Sequence, residues 1–125
     1  MIVHSRNIVL VAEDQIFVRG AAADELNDRG YEVIEVGSAT DALAVLAERS
    51  QDIRVLFIDV SMPGSINGLA LAHTVRQRWP WIGLLATSGK PRPPTSELPE
   101  GSRFLAKAYD TAHMAMHVGE LASVR

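Results

Sequence analysis

FIDVSMPGSINGL, running from Phe57 to Leu69, sets an aspartate at the end of an apolar run and follows it with Met62-Pro63-Gly64. The run Val55-Leu-Phe-Ile58 leading into Asp59 shows no alternation of apolar and polar residues. Continuous apolar runs suit strands buried on both faces, as in a parallel sheet covered by helices. Asp59 would then stand where the sheet meets solvent.

Two further runs read the same way, Ile8-Val-Leu-Val-Ala12 and Ile82-Gly-Leu-Leu-Ala86. Tyr31-Glu-Val-Ile-Glu-Val36 is rich in β-formers but carries two glutamates, which suits an edge strand that must discourage pairing. Arg103-Phe-Leu-Ala106 makes a short fifth run. Between the strands the period lengthens. Val18, Ala22 and Leu26 recur every four residues ahead of Gly30. Ser38 reads as an N-cap before the stripe Ala39, Ala42, Leu43 and Leu46. Leu71, Ala72, Val75 and Trp79 share a face that Pro80 ends, and Met114, Val118 and Leu121 line the final segment. Strands alternating with helices predict a doubly wound α/β sheet with right-handed crossovers.

Ligands in such sheets bind beyond the carboxyl ends of the strands. Glu13 and Asp14 follow the first strand, Asp59 the third, Thr87, Ser88 and Gly89 the fourth, and Lys107 the fifth. Carboxylates crowded at one edge repel, by about 4 kcal/mol for two unit charges ~4 Å apart at an effective dielectric of ~20. Such a cluster needs protons or a cation. With oxygen ligands alone and no histidine nearby, a hard divalent ion is favoured, Mg²⁺ first. A metal, a lysine and a hydroxyl converging on a carboxylate suit phosphoryl transfer with the carboxylate as nucleophile.

Taken together, Glu13-Asp14, Asp59 with Met62-Pro63, Thr87 and Lys107 resemble the response-regulator receiver domain of two-component signalling, over essentially the whole chain. The resemblance implies a five-stranded parallel sheet in the order 2-1-3-4-5, the flavodoxin-like receiver fold, and one receiver domain over 1–125, of the stand-alone type. It implies Asp59 as phosphoacceptor, and Mg²⁺ held by Asp14, Glu13, Asp59 and the backbone carbonyl of Ser61. By the same likeness Thr87 and Lys107 contact the phosphoryl group, and Phe104 matches an aromatic switch. The donor would be a phosphohistidine on a histidine kinase or phosphotransfer protein. The chain would be a signalling domain rather than an enzyme, assisting its own phosphorylation and dephosphorylation. Its output would pass by protein contact or phosphate relay.

Three departures from the family pattern stand out. The loop after Asp59 is one residue longer than usual. The usual Lys-Pro pair reads Lys107-Ala108, and a cis bond before a non-proline residue costs ~2.5–4 kcal/mol, so a trans bond is expected. The stretch GKPRPPTSELPEG over 89–101 carries Pro91, Pro93, Pro94 and Pro99. It predicts that the fourth helix is short or replaced by a proline-rich loop, with at most one turn over Pro94–Leu98 and more motion than elsewhere.

Composition narrows the alternatives. The chain has 125 residues, is 47% hydrophobic and carries a net charge of -3, from 12 basic and 15 acidic residues. Its basic residues form no cluster, which argues against DNA as a partner. No cysteine is present, so thiol chemistry is excluded. MIVHSRN is no signal peptide and no apolar run reaches membrane-spanning length, so a cytoplasmic protein with no membrane partner is expected. A flavin or nucleotide binder would need a phosphate-cradling loop where Ala12-Glu-Asp-Gln-Ile16 stands. A degenerate receiver acting as a phosphorylation-independent interaction module is the remaining alternative. His113 and His117 have helical metal-chelating spacing but no further ligand.

Overall fold

The computed structural model describes residues 8–89 and 93–123. Pro91, one of the prolines expected to disfavour the fourth helix, lies outside the described residues, as does the stretch MIVHSRN. Five strands form one parallel sheet in the order β2-β1-β3-β4-β5. They are β1 (Ile8–Ala12), β2 (Glu32–Val36), β3 (Ile53–Asp59), β4 (Gly83–Ser88) and β5 (Arg103–Ala106). Four helices connect or follow them: α1 (Ile16–Asp28), α2 (Ala39–Arg49), α3 (Gly68–Arg78) and α4 (Thr111–Ser123).

The unbroken apolar runs are explained by two cores. Ile8, Leu10 and Ala12 of β1 face one cluster with Ala42 and Leu46 of α2 and Leu71 and Val75 of α3. Val9 and Val11 face the other, with Ala22 and Leu26 of α1 and Met114 and Val118 of α4. Both faces of the central strands are thus covered, and neither set of side chains has reason to be polar. β2 lies at an edge, where Glu32 and Glu35 are exposed.

Local signals place the helices. Ser38 caps α2, its hydroxyl accepting from the Asp41 N–H at 3.0 Å. Asn67 caps α3 in the same way, its side-chain oxygen accepting from the Ala70 N–H at 2.8 Å. Gly30, at φ 94°, turns the chain from α1 into β2.

Between β4 and β5 no α-helix forms among the described residues. A single 3₁₀ turn at Thr95–Glu97 takes its place, within the span left open by the prolines. The segment is fastened to α3 by side chains. His73 Nε2 lies 2.6 Å from the Glu97 carbonyl, and Arg76 Nε donates to the Glu100 carbonyl at 3.0 Å.

One expectation is overturned. The Lys107–Ala108 bond is cis, not trans. The trans expectation weighed only the intrinsic preference of the peptide unit. In the fold Lys107 is held from two directions, its N–H donating to the Ser88 carbonyl at 3.0 Å and its ammonium held by acidic side chains.

Candidate functional site

β1 delivers Glu13 to the carboxyl edge of the sheet. Its N–H donates to the Val36 carbonyl of β2 at 3.0 Å, and its side chain is almost wholly enclosed, the residue being 3% exposed. Asp14 follows and is exposed. Asp14 does not cap α1, because the N-cap is Gln15, which makes no side-chain cap bond. Gln15 instead donates its N–H to Glu13 Oε2 at 3.1 Å.

Asp59 is the last residue of β3 and is also 3% exposed. Its carboxylate is held on both oxygens. Oδ1 accepts from the Ser61 N–H at 2.9 Å and from the Ser61 hydroxyl at 2.7 Å. Oδ2 accepts from Lys107 Nζ at 2.9 Å. The same ammonium sits 2.8 Å from Glu13 Oε1 and 3.3 Å from Gln15 Oε1. Thr87 stands opposite Asp59 in the pairing of β3 with β4.

The acidic residues come together as expected. Glu13, Asp14 and Asp59 each offer a carboxylate oxygen, and these lie within 4.8 Å of one another. An all-oxygen donor set of this kind fits a hard divalent cation. One member is open to solvent, which leaves room for water ligands. Thr87 adds a buried hydroxyl at the same edge of the sheet. It is 2% exposed, and its hydroxyl has no hydrogen bond among the described residues. A buried hydroxyl left this way costs free energy unless a ligand answers it.

Electrostatics divide the two buried acids. Burial raises the Glu13 pKa, and the bond from Lys107 only partly offsets this, so the net shift is upward. Burial also works to raise Asp59, but Lys107 and both Ser61 donors outweigh it and its pKa falls. Lys107 is pulled down by burial and up by its carboxylate partners, Asp59 first, and ends above its usual value. Asp59 is therefore ionised, oriented and paired with a cation.

Phe104 lies in β5, partly buried against the core beneath α2 and α3. His113 and His117 do face each other, ring centroids 4.7 Å apart, but His117 Nδ1 is engaged with Arg103 at 3.1 Å. They belong to no three-residue ligand group among the described residues.

Reading the sequence missed several neighbours. Ser61 was noted for its carbonyl, yet its hydroxyl and N–H are what grip Asp59; a hydroxyl two residues after an aspartate is the signal. Tyr109 packs edge-on against Phe57 at 5.4 Å, and burial, followed by the charge on Glu13, pushes its hydroxyl pKa up to about 12. It lines a cleft of about 450 Å³ with Lys107, Gln15, Phe17, Val18 and Ala21.

The family model described as the response regulator receiver domain matches residues 9–118. The sensor kinase CckA of Brucella abortus is 30% identical over 116 residues, covering 90% of this chain and 12% of that protein. A putative NtrX-like response regulator of Rickettsia felis is 28% identical over 82 residues, covering 65% of this chain and 17% of that one. The chain therefore spans a small part of the curated relatives it matches. The receiver domain of NtrX from Brucella abortus superposes with a TM-score of 0.85 at 24% identity, covering 94% of this chain and 99% of that one. A receiver domain protein from Clostridium thermocellum gives 0.84 at 19% identity, covering 92% and 93%. At these identities the two structures speak for the fold alone.

Proposed function

Since this chain belongs to the response regulator receiver domain family, we propose that it takes a phosphoryl group from a phosphohistidine onto Asp59. The observation that carries this reading is the state of Asp59. Its buried carboxylate is ionised, gripped by Ser61 and Lys107, and set among acidic oxygens within 4.8 Å.

In the transfer a carboxylate oxygen of Asp59 bonds to phosphorus while the phosphorus–nitrogen bond of the donor breaks and the imidazole leaves. The product is an acyl phosphate, which water later hydrolyses. Ser61 keeps the carboxylate from rotating. Lys107 exchanges part of its bond to Asp59 for one to a phosphoryl oxygen, and the Thr87 hydroxyl answers a second oxygen. Glu13, Asp14, Asp59 and the Ser61 carbonyl would hold Mg²⁺, which would supply the positive charge that offsets the crowded negative charge. Phe104 is the aromatic that changes position after transfer.

The donor is a histidine kinase or a histidine phosphotransfer protein. Ile16 and Phe17 open α1 and are 64% and 90% exposed, and Phe17 lines the cleft that leads to Lys107. Exposed apolar groups at such a place suit a docking face. The protein works in the cytoplasm as one receiver unit over 1–125, passing its signal by protein contact or relay. No helix among the described residues is long and apolar enough to cross a membrane.

Incubation with Mg²⁺ and a small phosphodonor tests the reading. The chain should gain one acid-labile phosphoryl group, and Asp59→Ala should gain none. A wild-type chain that stays unlabelled would instead be a phosphorylation-independent interaction module.

A further inference from the structure

Arg19 lies outside every role assigned so far, yet it reaches the acidic loop. It sits in the second turn of α1, its side chain only 20% exposed. Nη1 donates to the backbone carbonyl of Glu13 at 2.9 Å. Nε lies 3.4 Å from Glu35 Oε1 on β2. The guanidinium also passes close over Gly37, where a Cβ would come within 3.1 Å of Nη1. Three segments thus meet at one side chain: α1, the loop after β1 and the end of β2.

The consequence for Glu13 is geometric. Its N–H is fixed by Val36 of β2 and its carbonyl by Arg19 of α1. With the peptide groups on either side of its Cα anchored, the direction in which Glu13 and then Asp14 leave the strand is set by the scaffold. Glu35 explains why an arginine can lie there, because its carboxylate balances the charge from the outer side. A lysine has one nitrogen and cannot meet both the carbonyl and the carboxylate in the same way.

We propose that Arg19 is a positioning residue for the cation site, holding the Glu13 carbonyl so that the carboxylates of Glu13 and Asp14 stay in reach of Asp59. This rests on the reading of the acidic cluster as a divalent-cation site. Residues that orient metal ligands from behind change affinity by about 10–100-fold when removed.

The test is Mn²⁺ binding, followed by electron paramagnetic resonance, on folded wild type, Arg19→Gln and Arg19→Lys. Circular dichroism confirms that each is folded. Arg19→Gln should bind about tenfold more weakly, with Arg19→Lys between it and wild type. In phosphodonor labelling, the Mg²⁺ concentration giving half the maximal rate should rise by a similar factor, while the rate at saturating Mg²⁺ stays within twofold. A purely structural arginine would lower the melting temperature and leave Mn²⁺ affinity within twofold of wild type, which overturns the proposal. Should Arg19→Gln not fold, Arg19→Lys alone decides by the same affinity criterion. Wild type that binds no Mn²⁺ would overturn the cation site itself, an outcome distinct from equal binding by all three.

Discussion

Thr87 faces Asp59 across the β3–β4 pairing, and its buried hydroxyl has no hydrogen-bond partner among the described residues. The two facts belong together if the hydroxyl is reserved for an oxygen that arrives on Asp59. Stability and function should then separate. Thr87→Val keeps the shape and removes the unmet polar atom, so the unphosphorylated chain should gain about 1 kcal/mol in denaturant unfolding. The same variant should label more slowly from a small phosphodonor. A loss of stability in Thr87→Val would mean that the hydroxyl is already satisfied.

Gly68 opens α3 directly behind the nucleophile. A Cβ there would lie 2.2 Å from the Asp59 carbonyl oxygen and 2.7 Å from the Val60 Cα. Alanine in a helix is worth up to roughly 1 kcal/mol over glycine, so propensity alone favours the substitution. The neighbours are backbone atoms and cannot swing aside, so the clash should win. Gly68→Ala should cost roughly 1–3 kcal/mol, the usual range for overpacking, and should depress labelling of Asp59. Urea unfolding at or above wild-type stability would contradict it.

The sheet was legible because β1, β3 and β4 are buried on both faces and so carry unbroken apolar runs, while Glu32 and Glu35 mark β2 as an edge. Asp59, Glu13, Asp14 and Lys107 were legible because strand ends converge on one edge, whatever their separation in sequence. The contacts of Ser61, Gln15 and Arg19 were not. They depend on side-chain directions after the strand exits, which no periodicity encodes. The cis bond at Lys107–Ala108 departs from the local preference for trans for a related reason, since that preference takes no account of the contacts that hold Lys107.

Asp14 is the exposed member of the acidic group, so its substitution disturbs little packing. Mg²⁺ should stabilise wild type by mass action, about 1.4 kcal/mol at ten times the dissociation constant. For a domain of this size that is a rise of roughly 5 °C in melting temperature. Asp14→Asn, with one crowded carboxylate neutralised, should melt no lower than wild type without metal and should lose most of the rise. Equal Mg²⁺ shifts in both proteins, measured by calorimetry, would remove the cation from this site.

Phe17, 90% exposed at the mouth of the cleft beside Lys107, holds little core together. Phe17→Ala should therefore leave stability within about 0.5 kcal/mol, as surface changes usually do. Labelling from a small phosphodonor should be unchanged, because that donor needs no docking face. Transfer from a cognate phosphohistidine protein should slow by about tenfold, the equivalent of about 1.4 kcal/mol. Equal slowing with both donors would place Phe17 in the chemistry instead of the docking face.

Glu13 and Asp59 share Lys107, yet their pKa values move apart, and that separation fixes a pH dependence. Asp59 is lowered, so its contribution is present above the usual 3.8 and disappears as pH falls through the folded value. Glu13 is raised, so its contribution is complete below the usual 4.5 and is lost as pH rises through the folded value. From pH 5 upward Asp59 is constant, and the metal-free chain should lose stability through Glu13 alone of the pair. Glu13→Gln cannot ionise and should lack that loss. It should match wild type near pH 4 and melt higher at pH 7 in a chelator. Saturating Mg²⁺ should erase the advantage, because the cation stabilises the ionised glutamate that the variant lacks. A Glu13→Gln chain less stable than wild type at pH 7 without metal would show that the Lys107 bond, not burial, governs Glu13.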